Sequence, residues 1–246
     1  MLKLGLIGFP IKHSLSPGLH QGFMEAFEVE GSYELFPIQT ITRDILDTLF
    51  TSNNLTGCNV TIPLKEQVLP LLDRVDSTAE AVGAVNTIVL ESGALVGYNT
   101  DCAGIEKALD QLNSTAKSAL IFGTGGAAKA VHYILSQRGI SSKMLTRKPG
   151  AFNYSALTAE NFKTHKLWIN CTPLGGPQFE DAHLPLPNGV LTSEFAIFDL
   201  IYEPLPTPLL KAATHAGARS TDGRIMLTEQ AKEAWKLFLA AYYKNL

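Results

Sequence analysis

The sequence predicts an α/β protein with two domains, and three observations carry that prediction. Apolar patterns typical of strands alternate with patterns typical of helices from one end of the chain to the other. A glycine-rich turn follows an apolar run that begins at Ser118, so the alternation restarts there. The length of 246 residues is sufficient for two modest domains, each with its own core.

Short apolar runs bounded by turn residues predict the strands, and apolar residues three or four positions apart predict the helices. Strands are expected at 2–8, 32–38, 56–61, 86–90, 94–97, from 118, 141–145, 166–170 and 195–199. Helices are expected at 16–28, 42–52, 63–72, 101–113, 126–138, 158–163, 206–216 and 226–244. Alternating strands and helices predict parallel sheets covered by helices, with one hairpin turn at Ser92-Gly93.

Composition and charge exclude several classes of protein. Apolar residues make up 46% of the chain and the net charge is −3, so we expect a soluble protein without affinity for nucleic acid. Apolar runs shorter than the roughly 20 residues of a membrane helix argue against a membrane protein. The three scattered cysteines predict neither disulfides nor a zinc site, and indicate a reducing cytoplasm.

The glycine-rich turn has the spacing Gly123-x-Gly125-Gly126-Ala127 between a predicted strand and a predicted helix. Glycines there let the backbone turn tightly and approach a pyrophosphate, which binds at the helix N-terminus. The turn therefore predicts a Rossmann-like dinucleotide site. The alternative, a turn without a function, remains open at this point.

Two basic residues, Arg147 and Lys148, follow the next predicted strand. Domains that select NAD usually place an acidic residue there, whereas arginine and lysine suit the 2′-phosphate of NADP. This position favours NADP over NAD, and an ordinary basic loop is the alternative.

A serine cluster follows the first predicted strand. Pro17 suits the first turn of a helix, which predicts Ser16 as its N-cap. Ser14 has no capping role of its own, so the two hydroxyls near helix N–H groups are a candidate carboxylate site.

A second cluster contains Lys65, two residues after Pro63. If Pro63 begins a helix, Lys65 lies in its first turn, where the helix dipole disfavours the ammonium form. That placement would favour an amine able to accept a proton near neutral pH, whereas a surface lysine is the alternative.

A third cluster contains Asn86 and Asp101. Asp101 precedes a predicted helix, and an N-cap role would account for it. The functional alternative is that Asp101 pairs with Lys65 while Asn86 binds a substrate hydroxyl.

Taken together, these strings resemble the shikimate dehydrogenase family, in the same order and over nearly the whole chain. The matching strings are GFPIKHSLSPGLH at 8–20, GCNVTIPLK at 57–65, GAVNT at 83–87, GYNTD at 97–101, GTGGAAKA at 123–130, NCTPLG at 170–175, DLIYEPLPTPLL at 199–210 and DGRIMLTEQA at 222–231.

The resemblance implies reversible, NADPH-dependent reduction of 3-dehydroshikimate to shikimate by a cytoplasmic monomer or homodimer. It implies a substrate domain of residues 1–101 plus 224–246 and a Rossmann-like NADP domain of residues 102–223. The implied catalytic residues are Lys65 and Asp101. The implied shikimate ligands are Ser14, Ser16, Thr61, Asn86, Tyr202 and Gln230. The implied cofactor ligands are Gly123, Gly125, Gly126, Ala127, Arg147, Lys148, Thr172 and Gly223.

Some positions depart from the family pattern, notably Arg224-Ile225, where Leu-Gly is common before Met226. Three alternatives also remain at this point: a relative that accepts quinate and NAD, a non-catalytic sensor of shikimate or NADP, and a folate-type methylene dehydrogenase. The two serines argue against the first and third, and the retained Lys65 and Asp101 argue against the second.

Overall fold

The computed structural model describes residues 1–146, 153–154, 157–187 and 189–244. The chain forms two compact units, one of Met1–Asp101 with Thr228–Leu246 and one of Cys102–Leu227. Each unit contains one β-sheet with helices, which confirms the predicted α/β class. Among the described residues, no helix is both long and apolar enough to cross a bilayer.

The first unit is built on a six-stranded sheet with the order β2-β1-β3-β5-β6-β4. Its strands are β1 Leu2–Gly8, β2 Gly31–Pro37, β3 Gly57–Val60, β4 Arg74–Val75, β5 Thr87–Glu91 and β6 Ala94–Tyr98. Its helices are α1 Ser16–Ala26, α2 Arg43–Ser52 and α3 Ser77–Val82, with a 3₁₀ turn at Leu69–Leu71. The last helix of the chain, α8 Arg224–Lys244, supplies Ala234, Trp235 and Phe238 to the core beside Leu2 and Leu4.

The direction of the strands in this sheet brings several chain segments to one edge. β1 and β3 are parallel, whereas β5 runs antiparallel to β3 and β6 antiparallel to β5. The residues after β1, β3 and β6 therefore lie at the same edge as the residue before β5. The β5–β6 turn has positive φ at Ser92 (50°) and Gly93 (85°), which confirms the predicted hairpin.

The second unit contains a five-stranded parallel sheet with the order β11-β10-β9-β7-β8. Its strands are β7 Ser118–Phe122, β8 Ser141–Leu145, β9 Leu167–Asn170, β10 Ala196–Asp199 and β11 Arg219–Thr221. Its helices include α4 Asp101–Leu112, α5 Gly126–Gln137, α6 Ala159–Thr164 and α7 Pro208–His215. Trp168 is fully buried in the core between edge-on Phe122, Phe162 and Phe195. Because the chain leaves β7 towards β8 and later returns to β9 on the other side, the strand order reverses between β7 and β9.

The predicted helix at 63–72 is wrong. Residues 62–67 form turns, and only Leu69–Leu71 adopt a short 3₁₀ helix. The carbonyl of Lys65 accepts a hydrogen bond from Val85 N–H at 2.8 Å. A continuous helix would need that carbonyl for its own ladder, so the tertiary hydrogen bond competes with helix formation.

Three short elements were missed by the sequence patterns: β4, α3 and β11. Two or three residues are too few to establish a strand period. α3 carried a usable signal, because Asp76 caps it by accepting from Thr78 N–H at 2.9 Å and Gly83 ends it with φ 71°.

One histidine of the first unit is buried among aromatic side chains. His20 on α1 is fully buried, and its ring stacks on Tyr33 with centroids 4.5 Å apart. Neither ring nitrogen has a partner within the described ranges. Burial lowers the pKa of His20 to about 4, and a weaker opposing interaction with Asn59 does not offset it.

His20 should therefore make stability depend on pH. Because its pKa is lowered in the folded state, the unfolded chain takes up the proton first. The free energy of unfolding should fall as the pH drops from 6.5 towards about 4, by up to about 3 kcal/mol. Urea unfolding of His20→Phe across this range should show a shallower fall than the wild type.

The matched control is His183→Gln, at an exposed loop position. It should leave the pH dependence unchanged. Parallel curves for His20→Phe and the wild type would contradict the assignment to His20.

Candidate active site

An ion pair between Lys65 and Asp101 lies at the sheet edge of the first unit. Lys65 Nζ and Asp101 Oδ2 are 2.6 Å apart, and their side chains are only 15% and 5% exposed. Lys65 lies in the turn after β3, and Asp101 is the first residue of α4, soon after β6. Ions withdrawn from water are held together more firmly than a surface pair, and loss of either partner leaves the other buried.

The sequence placed Lys65 in the first turn of a helix and offered an N-cap role for Asp101, and neither prediction is correct. Lys65 is not in the first turn of a helix, and its ammonium is held by the carboxylate of Asp101. Asp101 is a helical residue rather than the N-cap, and its oxygens accept from Lys65 and Asn86. The pairing predicted between Lys65 and Asp101 is nonetheless present.

Asn86 is 2% exposed and its amide has one defined orientation. Its Oδ1 accepts from Thr100 N–H at 2.7 Å, and a backbone N–H can only donate. The amide nitrogen must therefore point the other way, where it donates to Asp101 Oδ1 at 2.9 Å. Gln230 Oε1, on α8, lies 3.4 Å from the same nitrogen. Lys65, Asp101, Asn86 and Gln230 thus form one polar cluster.

The serine cluster lies at the start of α1, but Ser16 does not have its predicted capping role. The N-cap is Leu15 and Ser16 is the first helical residue, so the predicted Ser16 N-cap is wrong. Ser14 Oγ accepts from Ser16 N–H at 3.2 Å and lies 3.2 Å from Ser16 Oγ. Two adjacent hydroxyls beside a helix N-terminus can bind a carboxylate.

The ends of β1 and β3 approach each other closely at Gly8 and Thr61. Gly8 has φ 152°, and a Cβ there would lie 2.4 Å from Thr61 Cγ2 and 2.8 Å from Ile62 O. Glycine is required at position 8 by both the φ value and the contact. This approach places Thr61 beside the start of the segment that carries the serines, a contact that the sequence patterns did not reveal.

The glycine turn of the second unit has the predicted strand–turn–helix context. Gly123 follows β7 with φ 118°, and Gly125 is the N-cap of α5 without a side-chain cap. A Cβ at Gly125 would meet nothing within 4 Å, so the space over this backbone is open. The first N–H groups of a helix lack partners within the helix. With Gly126 and Ala127 beginning α5, the turn offers uncapped donors that fit a pyrophosphate.

The turn lies where the strand order reverses, the usual ligand position in an open parallel sheet. Cys171 N–H donates to Phe122 O at 2.8 Å, which joins the end of β9 to the end of β7. Thr172 follows directly, and both its N–H and its hydroxyl donate to Asn170 Oδ1, at 3.0 and 2.7 Å.

Asp199 anchors two loops at this edge, a role that the sequence analysis missed. It is fully buried and accepts from Asn170 Nδ2 at 2.9 Å and from the Thr207 hydroxyl at 2.7 Å. Burial raises the pKa of Asp199, while these donors act in the opposite direction. The loop that follows Asp199 carries Tyr202, which is half-buried and whose pKa burial also raises.

Gly223 packs tightly in the second unit. Its N–H donates to Ile201 O at 3.0 Å, and a Cβ would lie 2.1 Å from Leu200 O. The next residue, Arg224, pairs with Asp222 at 2.7 Å. Arg147 and Lys148, predicted to bind a 2′-phosphate, lie outside the described residues.

No group of three or more histidine, cysteine, aspartate or glutamate side chains in the described part of the chain could hold a metal ion. The first unit holds an ion pair with amides and hydroxyls around it, and the second unit holds a glycine turn. That set suits proton transfer and dinucleotide binding.

Comparisons with known proteins agree with this description. The family model "Shikimate dehydrogenase substrate binding domain" matches residues 6–88. A shikimate dehydrogenase (NADP(+)) from Salinibacter ruber is 37% identical over 94% of this chain and 90% of its own.

Solved structures are similar over almost the full length. Shikimate 5-dehydrogenase from Thermus thermophilus, in complex with NADP(H) and shikimate, has a TM-score of 0.82 and 32% identity, covering 98% of this chain and 94% of its own. Quinate dehydrogenase from Corynebacterium glutamicum, in complex with NAD, has a TM-score of 0.83 and 28% identity, covering 97% and 94%.

The fold and the site define the class of α/β oxidoreductases that bind a dinucleotide at a glycine turn. Within that class, the sequence identity to the curated relative and the share of both chains that is covered assign the chain to one family. The chain belongs to the shikimate dehydrogenase family.

Proposed function

We propose that this protein is an NADP-dependent oxidoreductase that reversibly reduces 3-dehydroshikimate to shikimate, a step in the biosynthesis of aromatic amino acids. The observation that carries the proposal is the buried Lys65–Asp101 pair with Asn86 bound to it. Family membership and the glycine turn support the same reaction.

Shikimate would bind through its carboxylate and its ring hydroxyls. Ser14 and Ser16, with hydroxyls 3.2 Å apart, are the proposed carboxylate ligands. The remaining proposed contacts are Thr61, Asn86, Tyr202 and Gln230. Asn86 and Gln230 support this assignment because both lie beside the Lys65–Asp101 pair.

Lys65 and Asp101 would handle the proton of the C3 hydroxyl. In the direction of oxidation, Lys65 passes one proton to Asp101 across their hydrogen bond, and the freed amine takes the proton of the C3 hydroxyl. Asp101 holds the Lys65 side chain at 2.6 Å, so Lys65 is oriented before substrate binds. When bound, the nicotinamide of NADP supplies the hydride chemistry, and the chain's own residues position the substrate and move the proton.

The cofactor would bind at the switch point of the parallel sheet. The proposed pyrophosphate ligands are Gly123, Gly125, Gly126 and Ala127, because the N-terminus of α5 is uncapped and open there. Arg147 and Lys148 are proposed for the 2′-phosphate. Thr172 and Gly223 are proposed for further cofactor contacts.

We assign residues 1–101 plus 224–246 to the substrate domain and 102–223 to the NADP domain. The sites of the two ligands support this division, because the serines and the ion pair lie in one compact unit and the glycine turn in the other. We further propose a cytoplasmic monomer or homodimer that binds no nucleic acid. The scattered cysteines and the net charge of −3 support the location and the lack of nucleic acid.

A second candidate is oxidation of quinate with NAD, which the Corynebacterium glutamicum relative favours. The adjacent Arg147 and Lys148 favour a 2′-phosphate and so favour NADP.

The purified protein should reduce NADP+ with shikimate, followed by nicotinamide absorbance. Quinate with either cofactor, and shikimate with NAD+, should give much lower kcat/KM. Equal efficiency with both cofactors would overturn the NADP preference, and efficient quinate turnover would favour the second candidate.

Replacing Lys65 should abolish most turnover while leaving shikimate binding nearly unchanged. Lys65→Ala removes the proton acceptor, so we expect kcat to fall by about 10²–10⁴-fold, the usual contribution of a general base. Calorimetric titration with shikimate measures binding, and thermal unfolding checks that the fold survives the unpaired Asp101.

Lys107→Ala provides a control at an exposed lysine on α4. Its kcat should match the wild type. Retained activity in Lys65→Ala would show that another group takes the proton.

Gly125→Ala should separate cofactor binding from stability. Gly125 has φ −81° and an open Cβ direction, so alanine fits the folded chain. A methyl group there would obstruct the pyrophosphate. We expect KM for NADP+ to rise about ten-fold, or about 1.4 kcal/mol, with an unchanged unfolding temperature.

Gly22→Ala, in an open position on α1 of the other unit, is the matched control and should leave KM for NADP+ unchanged. An unaltered KM in Gly125→Ala would place the pyrophosphate elsewhere.

A further inference from the structure

Tyr33, on β2, donates its hydroxyl to Asn59 Oδ1 at 2.9 Å. We propose that Tyr33 is a positioning residue that helps to hold the orientation of Asn86, and through it Asp101, by a one-way chain of hydrogen bonds through Asn59 and Thr87. This inference rests on the proposed function, because the position of Asp101 matters to turnover only if it serves the reaction.

The first link is fixed by the surroundings of Asn59. Its Nδ2 lies 3.1 Å from Thr87 Oγ1 and 3.4 Å from the backbone carbonyl of Asn86. A carbonyl can only accept, so the amide nitrogen must face it and the amide oxygen must face Tyr33. The Tyr33 hydroxyl is therefore the donor.

The second link follows from the first. Because Thr87 Oγ1 accepts from Asn59, its own hydrogen is available for Asn86 Oδ1 at 3.1 Å. Asn86 Oδ1 also accepts from Thr100 N–H, so Asn86 Nδ2 faces Asp101 Oδ1. Every donor in this chain points from Tyr33 towards Asp101, which leaves Asp101 Oδ2 for Lys65.

The two asparagines and the threonine that form these hydrogen bonds are buried, which makes the loss of one donor costly. Asn59 is 5% exposed, Thr87 is fully buried and Asn86 is 2% exposed, so solvent cannot easily replace a missing donor. The Tyr33 ring is held by stacking on His20 at 4.5 Å. Its surroundings raise the pKa of Tyr33 well above the ordinary value, chiefly through burial, so its hydroxyl stays protonated and able to donate.

Loss of the Tyr33 hydroxyl would leave Asn59 Oδ1 without its donor. Asn59 could then rotate and release Thr87, whose hydroxyl has an alternative partner in Thr100 Oγ1 at 3.3 Å. That change would remove one of the hydrogen bonds that orient Asn86. The effect should therefore appear in kcat rather than in cofactor binding.

The test compares Tyr33→Phe, Thr87→Val and the double variant in the full chain, with shikimate at saturation and the NADP+ concentration varied. Tyr33→Phe keeps the ring on His20 and should lower kcat about five- to ten-fold, with KM for NADP+ unchanged. If both residues act in one chain, the double variant should be no slower than the slower single variant. Thr87→Ser, which keeps the hydroxyl, should restore most of the kcat lost in Thr87→Val.

Tyr98→Phe is the matched control, because the Tyr98 hydroxyl donates to Glu91 outside this chain of hydrogen bonds. Tyr98→Phe alone should have the kcat of the wild type. Added to Thr87→Val, it should leave the kcat of Thr87→Val unchanged. The inference is overturned if Tyr33→Phe matches Tyr98→Phe, or if the effects of Tyr33→Phe and Thr87→Val multiply.

A wild-type protein without shikimate turnover would refute the proposed function instead. Urea unfolding, which needs no activity, then tests the hydrogen-bond chain. It compares the wild type, the two single variants and the double variant. Non-additive changes in the free energy of unfolding for Tyr33→Phe and Thr87→Val support the chain, and additive changes overturn it.

Discussion

The pairing of a lysine with an aspartate at the edge of the first sheet constrains most of the site around it. At 15% and 5% exposure, neither charge is well solvated, so each depends on the other and on its hydrogen-bond donors. Asp101 binds Lys65 through one oxygen and Asn86 through the other, and the orientation of Asn86 is set by a backbone N–H of Thr100. The chain segments that carry these residues are brought together by the directions of β3, β5 and β6. The ion pair is therefore as much a consequence of sheet topology as of its own attraction.

In the second unit, the glycine turn leaves the backbone at the start of α5 open, as the close approach of an anion would require. The parallel sheet brings the ends of β7 and β9 together, and the chain there needs residues without side chains or with short ones. Gly123 has a positive φ, and Gly125 begins α5 with nothing above its backbone. Asp199 then fixes the neighbouring loops through Asn170 and Thr207. An open turn of this kind is in keeping with a reaction in which the cofactor carries the hydride.

Much of the fold was predictable from local patterns. The long strands and helices have clear periods and clear ends, as in β1, α5 and the β5–β6 hairpin. The failures have identifiable causes. The helix expected at 63–72 gave way to a hydrogen bond between Val85 and the Lys65 carbonyl, whose partner is 20 residues away. Ser16 satisfied every local criterion of an N-cap, yet the N-cap is Leu15. The Ser14 hydroxyl accepts a hydrogen bond from Ser16 N–H. Tyr33 lies in no motif, and the motifs that contain Asn59 and Asp199 do not indicate their hydrogen-bond partners, so only the structure reveals these roles.

The sequence by itself determined the fold class, the glycine turn and the identities of the polar residues, because periodicity and backbone permissiveness are local properties. The resemblance of its motifs to one family also came from sequence alone. The tertiary structure decided which of these polar residues meet. It placed Lys65 against Asp101 and gave Asn86 a single orientation. It also connected Tyr33 to Asn86 and Asp101 through the buried hydrogen bonds of Asn59 and Thr87. The physical reason is that a hydrogen bond or an ion pair depends on distance and direction between side chains far apart in sequence, and only the packed sheet fixes those.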